Sequence, residues 1–192
     1  VEGSDDKESL KHLLPKMSEK IGKAMKQNLL TIHELGGASS LSYALNLFKN
    51  MLCSYVVLLD DDDEGKKAYE KAEKENLIRI KDITFTTCIG MAEAEFEDCL
   101  NPALYQERIK AELGCDLSIM PDFKKNGKWS DRVKTSFKKA GQPWRDTVEK
   151  KVKALVVEEI KKKKDLDDIF IAQKKEFLNG LVSNIENMIT EF

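Results

Sequence analysis

The stretch from Ser54 to Gly65 limits what this chain can fold into more than any other. It reads Ser54-Tyr55-Val56-Val57-Leu58-Leu59, then Asp60-Asp61-Asp62-Asp63-Glu64, then Gly65. Tyr55–Leu59 is a short, continuous apolar run, β-branched in part. Such a run suits a strand buried on both faces, as in a parallel sheet covered by helices. Five acidic side chains follow at once, and that much negative charge at a strand end needs cations. Open α/β sheets place their ligands at the carboxyl ends of parallel strands, where a divalent metal is the natural partner for clustered carboxylates. Gly65 permits a sharp turn into the helical pattern that follows. A calcium-binding helix–loop–helix would use Asp60, Asp62, Glu64 and Gly65, but it needs Glu where this chain has Lys71.

With 192 residues the chain is long enough for a substantial core, and 34% charged residues describe a helix-rich globular protein. No apolar stretch is long enough to cross a membrane, and no signal peptide is visible. Cys53, Cys88, Cys99 and Cys115 form no Cys-x-x-Cys pair, which fits reduced thiols of a cytoplasmic protein. The net charge of −2 conceals an asymmetry. Residues 1–120 hold 15 Lys+Arg against 22 Asp+Glu, whereas residues 121–164 hold 15 against 6. An acidic site region followed by a basic segment suits a metal-dependent enzyme with a polyanionic substrate; the plainer alternative is a set of solvated helix faces.

Leu10, Leu13, Leu14, Met17, Ile21 and Met25 recur at helical spacing, with Pro15 expected to kink or split the helix. Leu29–Leu35 reads as a strand broken by Gly36-Gly37. Ser39 or Ser40 can cap a helix with Leu41, Ala44, Leu45, Phe48 and Met51 on one face. After the Tyr55–Leu59 strand comes a helix over about 66–75, then a strand over Ile83–Ile89. This alternation is that of a parallel sheet wrapped by helical crossovers. Val1 stands where the last residue of a first strand would lie, so the chain reads as a piece of something longer at its amino end. Beyond Pro102 the pattern becomes helical: a short helix over Tyr105–Leu113, a polar loop over Phe123–Ser130, a long helix opened by Pro143, and a final amphipathic segment from Leu166.

Three acidic clusters thus fall at strand ends: Glu2 with Asp6, Asp60 with Asp62, and Glu93 to Asp98. In a parallel sheet those ends share one edge, and mutual repulsion makes one or two hard metal ions the expected occupants. At these residues the chain resembles a Toprim domain, the metal-binding fold of topoisomerases, primases and several nucleases. Val1-Glu2-Gly3-x-x-Asp6 is similar to its opening strand-end glutamate motif, and Leu59-Asp60-x-Asp62-x-x-Gly65 to its Asp-x-Asp motif. Glu95-Phe96-Glu97-Asp98 resembles the late acidic motif of nucleases of the OLD (overcoming lysogenization defect) family. The resemblance covers residues 1–102 as a Toprim core, leaving 103–192 as a helical, basic carboxy-terminal extension.

The resemblance implies a metal-dependent DNA endonuclease, the nuclease half of an ATPase–nuclease with an ABC-type ATPase domain before it, acting in antiviral defence. Glu2, Asp6, Asp60, Asp62 and Glu97 would hold Mg²⁺ or Mn²⁺. Glu2, Asp60 and a carboxy-terminal lysine, for which Lys128 is the candidate, would be catalytic. Lys124, Lys125, Lys138, Lys139 and Arg145 would track the DNA backbone. A homo-oligomer is compatible with the family. The rival readings are a topoisomerase- or primase-type Toprim and a non-catalytic Toprim module that binds DNA or protein. Nothing marks Tyr55, Tyr69 or Tyr105 as a strand-passage nucleophile, and His12 and His33 read as surface or packing residues.

Overall fold

Val57–Asp60 (β1) pairs in parallel with Ile83–Thr86 (β2), Val57 opposite Ile83 and Asp60 opposite Thr86, in the computed structural model, which describes residues 1–190. Parallel strands need a crossover. Here it contains α4 (Asp63–Lys74), which starts as soon as β1 ends. Around this two-stranded sheet the described residues form seven further helices: α1 (Ser4–Met17), α2 (Glu19–Lys26), α3 (Leu41–Asn50), α5 (Gln106–Leu113), α6 (Trp129–Lys139), α7 (Asp146–Lys162) and α8 (Glu176–Thr190). None of the described helices is long and apolar enough to cross a membrane.

The sheet is smaller than the sequence pattern predicts. Leu29–Leu35 is not a strand. Its one ladder-like neighbour is Val1, whose amino group donates to His33 O at 2.9 Å and whose carbonyl accepts from Leu35 N at 2.9 Å. Between this segment and β1 lies an apolar groove of about 740 Å³, lined by Leu30, Ile32, Tyr55, Val56, Leu181 and Ile185 among others. An extended, apolar segment with no neighbouring backbone across that groove has no ladder to join. The strand expected over Ile83–Ile89 ends at Thr86, where Thr87 N turns back to donate to Phe85 O at 2.8 Å.

Several helix limits also differ. Pro15 stays inside α1, and the break falls at Ser18, whose hydroxyl accepts from Ile21 N at 3.2 Å and caps α2. A short 3₁₀ turn over 38–40 precedes α3, with no serine side chain bonded as a cap. The loop expected over Phe123–Ser130 gives way at Trp129 to α6, which sequence reading passed over. Pro143 lies before α7, not in its first turn.

One apolar cluster takes Leu10, Leu13 and Ile21 from the amino-terminal helices, Leu100 from the middle of the chain, and Trp129, Phe137, Val152 and Leu181 from the carboxy-terminal helices. Residues on both sides of the 102/103 boundary therefore share a core, so α6 and α7 can present side chains to the acidic strand ends. A second cluster, including Leu41, Leu45, Val57, Leu59, Ala72 and Ile83, packs α3 and α4 on the other side of the sheet. Cys88, Cys99 and Cys115 are buried, Cys53 is exposed, and all four thiols are free.

Candidate functional site

Asp60 ends β1 and Asp62 begins α4. Asp62 has extended backbone (φ −134), and its Oδ1 accepts from Gly65 N at 2.9 Å, the geometry of an N-cap. A Cβ on Gly65 would lie 2.3 Å from the Asp60 carbonyl oxygen, so only glycine lets the helix turn back this close to the strand end. Asp61 points elsewhere. Its backbone makes an antiparallel bridge with Ala94 (N to O 2.9 and 3.0 Å), and its carboxylate pairs with Lys66 at 2.8 Å. That bridge brings the Glu95–Asp98 segment alongside the end of β1. Asp63 and Glu64 are exposed in the first turn of α4, where they face its positive end.

The amino-terminal acids arrive from the opposite direction. Asp6 Oδ2 accepts from Gly3 N at 2.8 Å, reaching back from the first turn of α1 to the backbone of its N-cap residue. Asp6 thus has a structural use as well as a place in the cluster. Gly36 and Gly37 both donate N–H to the Glu2 carbonyl (3.1 and 3.2 Å), which fixes the backbone beside the site. Oε2 of Glu2 is buried without a hydrogen-bond partner among the described residues. An orphaned buried carboxylate oxygen is costly unless something positive meets it.

The electrostatics record how closely these groups are gathered. Burial raises the Glu2 carboxyl, Asp62 and Asp6 raise it further, and the backbones of Asp60 and Ala38 offset part of this. Asp60 is pushed well above the usual carboxylate range, first by burial, then by the charges of Asp6, Glu97, Glu2 and Glu95. Burial also raises Asp6. Glu97 is raised to about 7 by burial, against the opposing pull of Lys153. Four of the five sequence-predicted ligands therefore carry raised carboxyls; Glu97 is buried, and Glu2, Asp6 and Asp60 are half-buried. Asp62 differs: burial would raise it, but the Gly65 N–H and the Lys128 ammonium bring it below its ordinary value.

The late acidic motif divides its work. Asp98 accepts from Glu95 N (2.9 Å), from Trp129 N (3.1 Å) and from the Arg132 guanidinium. Glu95 accepts from Ser130 N and Ser130 Oγ at 2.7 and 2.8 Å. Two carboxylates therefore hold the first turn of α6, whose free N–H groups and positive end favour anions. Trp129, fully buried and donating Nε1–H to Tyr105 Oη at 3.0 Å, locks that end in place. Lys128 precedes this anchor, and its Nζ donates to Asp62 Oδ2 at 2.9 Å. Glu97 faces α7, with Lys153 Nζ 3.8 Å from its Oε1. Lys153 escaped sequence reading; it sits in a lysine-rich helix beside Lys150 and Lys151, with no motif to single it out.

The oxygen donors suit a hard divalent cation such as Mg²⁺ or Mn²⁺ in chemical type, and the orphaned Glu2 oxygen suits one in need. Among the described residues, however, no three acidic, histidine or cysteine side chains converge into a group that could hold a metal ion as they stand. The set is gathered and not closed.

The basic candidates are dispersed. Lys125 and Lys139 both pair with Asp122 at 2.6 Å, so their charge is partly spent. Lys124, Lys138 and Arg145 are exposed. The tyrosines are engaged: Tyr55 donates to Leu77 O, Tyr69 to Glu73, and Tyr105 is buried beside Trp129. His12 Nε2 meets Lys163 O at 3.1 Å, and His33 stands edge-on to Phe48.

No protein-family model, curated protein or solved structure matches this chain.

Proposed function

We propose that this chain is a metal-dependent phosphodiesterase site of the Toprim class. More narrowly, we read it as the DNA endonuclease part of an OLD-type ATPase–nuclease, cytoplasmic and working in defence against foreign DNA. One observation carries the reading: Asp60, half-buried at the end of a parallel strand, lies among the charges of Asp6, Glu97, Glu2 and Glu95, and a lysine is seated on Asp62. Such crowding of carboxylates is a burden on the fold unless cations relieve it, and perturbed clusters of this kind mark functional sites.

In this reading Glu2, Asp6, Asp60, Asp62 and Glu97 hold the metal. Bound Mg²⁺ or Mn²⁺ would supply a water of lowered pKa and positive charge for the phosphoryl oxygens. Lys128, held by the α6 anchor, turns its ammonium toward the charge that develops on the phosphorus substituents. Lys124, Lys138 and Arg145 attract the duplex through its phosphates without reading bases. An ABC-type ATPase partner domain fits the same reading.

The test is nicking of supercoiled plasmid by the purified chain with Mg²⁺ or Mn²⁺, with and without EDTA. Metal-dependent nicking that disappears in Asp60→Ala supports the proposal. DNA binding with no nicking under any divalent ion would favour the non-catalytic module.

A further inference from the structure

Lys153 lies on α7, held against the core by the buried Val152 and Val156, and α7 packs along α1, which carries Asp5 and Asp6. Only 25% of its side chain is exposed, and its Nζ stands 3.8 Å from Glu97 Oε1. That separation is a charge pair, longer than a hydrogen bond. Its ammonium thus stands against a carboxylate that a metal ion in the same place would use. A divalent ion bound there would meet a second cation at close range, and the flexible four-carbon stem gives the lysine somewhere to go.

We infer that Lys153 is the built-in counter-cation of the carboxylate cluster: it neutralises Glu97 while no divalent ion is present and withdraws from it when one binds. The inference rests on the metal reading above, and it makes Lys153 a positioning residue that sets metal affinity.

Mn²⁺ binding to the whole chain, followed by the electron paramagnetic resonance of free Mn²⁺ at pH 8 without DNA, tests this directly. Lys153→Met, uncharged and of similar length, should bind Mn²⁺ at least about tenfold more tightly or take up an additional ion, whereas Lys153→Arg should stay near the parent. Equal or weaker binding by Lys153→Met overturns the inference and leaves the metal reading standing. No binding by parent or variant overturns both.

A second measurement does not depend on the methionine variant folding. Lysines of the parent chain are dimethylated with ¹³C-formaldehyde, and the Lys153 signal is assigned by its absence in Lys153→Arg. Saturating Mg²⁺ should move that signal toward those of exposed lysines. A signal that stays in place while Mg²⁺ is bound overturns the inference.

Discussion

Lys128 Nζ and Asp62 Oδ2 meet at 2.9 Å across 66 positions of sequence, and the contact links the first residue of the Asp62 N-cap to the residue that precedes α6. Two things follow from that link. Asp62 stays ionised, and Lys128 stays protonated, raised above its ordinary value chiefly by Asp62. An ammonium fixed by a buried helix start can be aimed at one point. Lys128→Ala should lower the single-turnover cleavage rate at saturating DNA by at least about tenfold, or about 1.4 kcal/mol of barrier, with little change in DNA affinity. A parent-like rate would remove Lys128 from the chemistry.

Asp60 sits among four other carboxylates at a buried strand end. Asp60→Asn relieves repulsion without removing packing. It should abolish metal-dependent nicking and at the same time raise the melting temperature in EDTA at pH 8. A variant that loses activity and stability together would mean that Asp60 holds the fold and not a metal.

The sign of the pH dependence is opposite to that of a salt-bridged carboxylate. Burial raises the folded Glu97 carboxyl from its ordinary 4.5 to about 7, so the folded chain holds more protons between those values. Stability then falls as pH rises through that window, by on the order of 3 kcal/mol for a group so buried. The raised Glu2, Asp6 and Asp60 act in the same direction. Thermal melts in EDTA should therefore show a higher melting temperature at pH 6 than at pH 8. Saturating Mg²⁺ should recover most of the difference at pH 8, because an ion that binds only the folded chain stabilises it.

Gly65→Ala tests the strand-to-helix turn itself. A methyl group 2.3 Å from the Asp60 carbonyl forces β1 and α4 apart, at a cost of about 2 kcal/mol or more. Denaturant unfolding measures the loss. Unchanged stability would mean the turn is looser than this contact requires.

If the exposed lysines meet DNA, log K should fall steeply with log[salt], by about 0.9 for each phosphate neutralised. Lys124→Glu with Lys138→Glu should flatten that slope, measured by fluorescence anisotropy on random duplex. Lys125→Ala should do less, since Asp122 already engages that lysine. Parent-like slopes in the double variant would make this segment a solvated face.

Much of the site was legible in sequence because it is built from local rules. An apolar run ending in Asp60-x-Asp62 with Gly65 three residues on specifies a strand and a sharp turn into a helix within one short stretch, and the structure forms both there, over Val57–Asp60 and from Asp63. What lay beyond the sequence depended on which surfaces pack together. Leu29–Leu35 has the composition of a strand, yet a strand needs a neighbour, and no sequence pattern says whether backbone lies beside it. Asp98 looks like a further ligand in a row of acids, but its hydrogen bonds to Trp129 N and Arg132 make it a holder of α6. Lys153 is one lysine among many until Val152 and Val156 turn its face of α7 toward Glu97. Side-chain type and spacing fix the local turn, because that turn is closed by bonds a few residues long; the partner of a distant charge is set by the burial of apolar neighbours, which only the assembled core decides.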